Sequence, residues 1–187
     1  MIYFFTPYSF NKKLFDAWDD YMNLVQDPSD WVCMMDGDTL FLLSDFGHQM
    51  QYYIDQYPDT GLFTCYASRT SRPELRWPGA DMNNPSLIYH RTKAEQIYAA
   101  HHDKVVDLAE LNALGYLMLM KKSTWLLIRE QVREWTADKN ILGVDTRISK
   151  AVRKAGMKTY LMKGMYLLHY YRMKNGENDK SILIKEP

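Results

Sequence analysis

The chain has 187 residues, with 23 basic and 23 acidic side chains and a formal net charge of +0. That length suits one domain, residues 1–187, with a substantial core, and the balanced charge excludes the electrostatic footprint of a nucleic-acid-binding protein. Hydrophobic residues make up 47% and aromatic residues 14%, which excludes a disordered chain.

In chain order, residues 2–5 are expected as a short strand, stopped by Thr6 and Pro7 because proline cannot continue a central strand. Residues 11–25 have helical spacing, with Leu14, Ala17, Trp18, Tyr21, Leu24 and Val25 on one face. A turn at 27–30 leads into a second strand at 31–35. Ser44 is expected to cap a helix running to Gln56, and residues 62–66 form a third strand. Residues 67–89, rich in Arg, Pro and Asn, read as a long irregular excursion, a type of loop that is usually functional. A helix near 93–101 follows, then a strand at 115–120 and a helix to about 135 capped by Ser123. Residues 144–155 form another helix closed by Gly156, and strands at 159–162 and 166–169 end the series. The alternation predicts an α/β fold with a layered sheet.

The two cysteines, Cys33 and Cys65, sit in apolar runs and are expected as buried free thiols, which points to a reducing compartment. The first residues lack a basic start and a signal core, and no stretch reaches the ~18–20 apolar residues of a membrane span. A soluble, cytoplasmic protein is therefore expected.

The apolar run Trp31, Val32, Cys33, Met34, Met35 ends in Asp36, Gly37 and Asp38. A buried strand has no packing reason to end in two aspartates, since carboxylates cost most to bury. A divalent cation removes the conflict. The aspartates lie two apart and share a face in an extended chain, while Gly37 permits close approach of a ligand to the backbone. Hard carboxylates suit magnesium, manganese or calcium. His169 also ends an apolar run, at 164–168, and strand ends are where α/β proteins bind ligands. An imidazole beside two carboxylates favours manganese, with magnesium also accommodated.

Arg172 and Lys174 follow His169 and are read either as a solvated basic tail or as a clamp for a diphosphate. Asp145, at the start of a helix, is either a favourable first-turn carboxylate or a general base. His101, His102 and Asp103 are expected in an exposed turn, and His48 at a helix surface.

The ordered series Thr6, Pro7, Tyr8; Asp36, Gly37, Asp38, Thr39; Gly115, Tyr116, Leu117; Gly143, Val144, Asp145; and Leu168, His169, Tyr170, Tyr171, Arg172 resembles glycosyltransferases of the GT-A fold. The nearest likeness is to compact bacterial and phage proteins related to glycosyltransferase family 2, and it covers most of the chain. The resemblance implies a mixed central sheet flanked by helices, and the chain departs from the family pattern in its shortened N-terminal nucleotide-binding half. It also implies that Asp36 and Asp38 form a DxD motif holding Mn2+ or Mg2+ against a nucleotide-sugar diphosphate. His169 is then the third metal ligand, and Arg172, with Lys174, a phosphate contact. By the same likeness Thr6, Pro7 and Tyr8 lie against the nucleotide base, and Gly115 and Tyr116 line the pocket for donor sugar and acceptor. Asp145 matches the acid that deprotonates the acceptor hydroxyl in inverting members. The implied donor is a UDP-sugar and the implied acceptor a glycan or other hydroxyl compound.

Two alternatives stand beside this. A phosphohydrolase of the haloacid-dehalogenase type also places two aspartates after a strand, but expects one residue between the second aspartate and the threonine, and Thr39 directly follows Asp38. The other is a GT-A-like protein that binds a sugar nucleotide or glycan without turnover.

Overall fold

The computed structural model describes residues 1–9, 13–136 and 143–170. Its strands are β1 (Ile2–Phe5), β2 (Trp31–Met34), β3 (Thr39–Phe41), β4 (Leu62–Ala67), β5 (Val105–Asp107), β6 (Met118–Lys121) and β7 (Thr159–His169). The helices are α1 (Leu14–Asn23), α2 (Phe46–Gln56), α3 (Leu87–His101), α4 (Lys122–Thr136) and α5 (Val144–Lys154). The strands form a seven-stranded sheet in the order β1-β2-β6-β4-β7-β3, with β5 paired to β7. The sheet is mixed: β1 and β2 run parallel, while β2–β6, β4–β6 and β3–β7 are antiparallel. This agrees with the expected α/β class and, in general terms, with a GT-A-like architecture.

Residue contacts divide the chain into two compact units. The first comprises Met1–Gly37, Tyr57–Thr64 and Asp107–Tyr160. Its core is built where the amphipathic stripes of three helices meet the sheet: Phe15, Trp18 and Met22 from α1, Trp125, Ile128 and Val132 from α4, and Ile148 and Val152 from α5 close over Val32, Met34, Met118 and Met120. Burial of side chains this large contributes about 1.5–3 kcal/mol each. Trp125 is fully buried with its ring centroid 5.7 Å from that of Phe15, and its indole N–H donates to Asp19 Oδ1 at 2.9 Å. A buried indole needs such a partner. Ser123 lies inside α4 and does not cap it, contrary to the sequence reading. The helix starts one residue earlier because the Lys122 and Ser123 amides find acceptors in the backbone, on Asp30 O and Pro28 O.

The second unit comprises Asp38–Gln56, Cys65–Val106 and Leu161–Pro187, described as far as Tyr170. Here the sequence reading needs four corrections. The strands expected at 159–162 and 166–169 are one continuous strand, β7. Gly164 does not break it; a Cβ there would stand 2.5 Å from the His102 backbone, and its N–H donates to the Tyr53 hydroxyl at 2.8 Å. The glycine serves close approach of another segment. Helix α3 begins at Leu87, six residues before the expected start, with Ser86 Oγ accepting from Tyr89 N at 3.2 Å. Its buried stripe is His90, Ala94 and Ile97, and a histidine and an alanine do not register as apolar periodicity. Helix α2 starts at Phe46, with Ser44 in the preceding turn. Strands β3 and β5, three residues each, are too short to leave a sequence pattern. Cys33 and Cys65 are both buried thiols outside any disulfide, as expected.

Candidate metal centre

The β2 strand ends at Met34, and Met35 N still donates to Phe5 O at 3.0 Å. Asp36, Gly37 and Asp38 then cross to β3, whose pairing with β7 sets Thr39 opposite His169. One hydrogen bond further on, Tyr170 N donates to Asp38 O at 2.9 Å. Antiparallel register thus brings a residue near the C-terminal end of the described chain beside the aspartate pair. Ligand atoms of Asp36, Asp38 and His169 all lie within 4.8 Å of one another, graded from an exposed Asp36 to a buried His169. His169 Nε2 stands 3.4 Å from Asp38 Oδ1.

The donor set fits a divalent cation. Two carboxylates this close repel by about 4 kcal/mol at an effective dielectric near 20, and a doubly charged ion at their common focus reverses the sign. Carboxylate oxygens with one imidazole nitrogen are ligands for a hard or borderline divalent metal. His169 Nδ1 is 2.8 Å from Arg69 O, a carbonyl that can only accept. In the neutral ring the proton therefore sits on Nδ1 and the lone pair on Nε2. An Nε2 lone pair facing a carboxylate oxygen is stabilised by a cation between them; the alternative is an ion pair with a proton on Nε2.

A third carboxylate, Asp145, adjoins Asp36 through one glycine. Gly115 N donates to Asp145 Oδ2 at 3.2 Å, and a Cβ built on Gly115 would come within 3.0 Å of Asp36 Oδ1. Gly115 therefore touches both carboxylates, and the absence of a side chain leaves room for Asp36. Asp145 lies in the first turn of α5, which starts from Gly143 in the left-handed region at φ 111°. Its other oxygen accepts from Thr146 N at 2.7 Å. Burial raises the Asp145 pKa above the ordinary carboxylate value, with the Thr146 and Gly115 amides and the Arg147 charge opposing the rise.

The remaining sequence candidates are placed as follows. Thr6 Cγ2 lies 3.4 Å from where a Gly37 Cβ would stand, Pro7 is half-buried, and Tyr8 is exposed. Tyr116 is fully buried. Arg172 and Lys174 lie outside the described residues. His48 is exposed, as expected. His101, expected in an open turn, is the last residue of α3 and packs against Trp77, with ring centroids 5.2 Å apart; only His102 and Asp103 are exposed. His101 closes α3 at the end expected for that helix, and its ring contact with Trp77 draws it inward.

Two residues escaped the sequence reading. Ser68 and Arg69, at the start of the irregular stretch, hold His169 from its backbone and from its ring. Nothing in their sequence context marks them, because the contact is made through a hydroxyl and a main-chain carbonyl.

No protein-family model, curated protein or solved structure matches the chain. Among the described residues no helix is long and apolar enough to cross a membrane.

Proposed function

We propose that the protein is a metal-dependent glycosyltransferase of GT-A type, moving a sugar from a nucleotide-sugar donor, a UDP-sugar, to an acceptor hydroxyl. The observation that carries this reading is the convergence of Asp36, Asp38 and His169, with Gly115 linking Asp36 to a raised-pKa Asp145. Asp36, Asp38 and His169 would hold Mn2+ or Mg2+, which when bound offsets the negative charge of a departing diphosphate. Asp145 accepts the proton of the acceptor hydroxyl on its carboxylate, and its raised pKa strengthens it as a base near neutral pH. The Gly115 and Thr146 amides fix that carboxylate in one orientation. Thr6, Pro7 and Tyr8 supply a surface for the nucleotide base beside Gly37, and Gly115 borders the sugar pocket with the fully buried Tyr116 supporting it from behind. Arg172 and Lys174 contribute phosphate contacts. The whole chain acts as one GT-A-like domain in this reading.

The test is release of nucleoside diphosphate from a panel of nucleotide sugars with Mn2+ present. Release with one donor, lost on chelation, supports the transferase. No release with any donor, together with unchanged thermal stability on adding UDP and Mn2+, defeats it. Binding of UDP and Mn2+ without release identifies a GT-A-like binding protein without turnover.

A further inference from the structure

His169 is 4% exposed, and a buried imidazole has two nitrogens to satisfy. The Arg69 carbonyl can accept a hydrogen bond from Nδ1–H, 2.8 Å away. The His169 backbone is fixed as well: its N–H donates to Ser68 Oγ at 3.0 Å, and the Ser68 hydroxyl is 3.3 Å from His169 O, which accepts from it. Ser68 N in turn donates to Leu167 O at 2.9 Å. Both Ser68 and Arg69 are buried, so these contacts are made away from competing water. The Arg69 side chain is anchored separately, with Nη1 donating to Met82 O at 3.1 Å and to Asn83 Oδ1 at 2.8 Å. Its guanidinium thereby fastens the carbonyl that holds the imidazole to a turn of the irregular stretch.

We propose that Ser68 and Arg69 are positioning residues of the metal centre, selecting the His169 tautomer that carries its proton on Nδ1 and presents Nε2 as the ligand beside Asp38. A free neutral imidazole exchanges its proton between the two nitrogens, so only part of the population offers Nε2. Bonding Nδ1–H to a fixed carbonyl removes the other form and raises the basicity of the ligating nitrogen. The hydroxyl of Ser68 keeps the strand end from which the ring projects in register with that carbonyl. The irregular stretch then supplies the outer partners of a metal ligand. The inference rests on the metal-centre reading of Asp36, Asp38 and His169.

The experiment is 15N NMR of protein labelled at its histidine rings, recorded without metal at pH 8, followed by titration with Mn2+ alone. The protein has 5 histidines, and a His169→Gln variant identifies the relevant signals by their loss. The wild type is expected to show His169 protonated on Nδ1 only. Ser68→Ala is expected to give a mixture of tautomers and to weaken Mn2+ binding about tenfold, within the range for outer-shell partners. Ser68→Thr, which restores the hydroxyl, is expected to recover both readouts. A wild-type spectrum with the proton on Nε2 overturns the proposal. So does a folded Ser68→Ala protein with the wild-type spectrum and Mn2+ affinity. If Ser68→Ala fails to fold, Arg69→Ala replaces it with the same criteria. Failure of wild-type protein to bind Mn2+ defeats the metal-centre reading alone, because the metal-free spectra still decide the tautomer.

Discussion

Asp145 and His169 are both ionisable groups drawn away from water, and their surroundings treat them in opposite ways. Asp145 sits in the first turn of α5 and accepts from two backbone amides, yet burial still raises its pKa. It is a carboxylate inclined to take up a proton. His169, at the end of β7, directs Nδ1 to the Arg69 carbonyl, which can only accept, and turns Nε2 toward Asp38 Oδ1 at 3.4 Å. It is a ring arranged to face a cation. In the proposed reaction the first region would serve proton transfer and the second charge neutralisation, the two demands of displacing a diphosphate with a hydroxyl.

Breaking the cation-facing region has the largest expected effect. Asp38→Ala should weaken Mn2+ binding by more than about hundredfold, beyond what loss of an outer partner costs. In the wild type, Mn2+ at about 100 times its Kd adds about 2.7 kcal/mol, or about 5–10 °C in Tm for a chain of this size. Asp38→Ala should show no such shift in differential scanning fluorimetry, and chelation should return the wild type to its metal-free Tm.

Breaking the proton-transfer region should leave Mn2+ affinity in place. Asp145→Asn is expected to lower turnover about 10²–10⁴-fold while UDP–Mn2+ binding, measured by calorimetry, stays within about twofold. Its effect on stability sharpens the same contrast. The folded pKa of Asp145 lies above its ordinary value of 3.8, so above that value the folded state holds more proton than the unfolded one. Its contribution to stability is present below 3.8 and is lost as pH rises through the raised folded pKa. Denaturant titrations across that window should show stability shifting in favour of Asp145→Asn as pH increases. A difference that does not vary with pH would remove the burial argument.

Gly115→Ala probes the residue that touches both regions. A Cβ 3.0 Å from Asp36 Oδ1 must push that exposed carboxylate aside. The expected outcome is about tenfold weaker Mn2+ binding with little change in Tm. The smallest effect is expected at Ser86→Ala, away from both groups. Loss of its cap on Tyr89 N should cost about 1 kcal/mol, a Tm lower by about 2–4 °C, with Mn2+ affinity unchanged.

Part of the site was legible because its chemistry conflicts with its setting. Asp36, Asp38 and His169 stand where apolar strands end, and polar ligands have no packing reason to be there. Asp145 was legible only as an open choice, since a first-turn acid is favourable in any helix. Ser68, Arg69 and Gly115 were not readable as partners of these groups. Their contacts run through a hydroxyl, a carbonyl, an amide and an absent side chain, none of which leaves a spacing pattern. The irregular stretch was seen, but its function as an anchor for a histidine was not.

The sequence by itself determined the strand–helix alternation, the buried thiols and the residue types of a cation site, because local periodicity and the cost of burying charge are properties of neighbouring residues. Tertiary structure alone decided that Thr39 pairs with His169, that the imidazole Nδ1 meets the Arg69 carbonyl, and that Gly115 stands against both Asp36 and Asp145. Strand register and main-chain hydrogen bonds between distant segments set those distances, and they depend on how the whole sheet is paired.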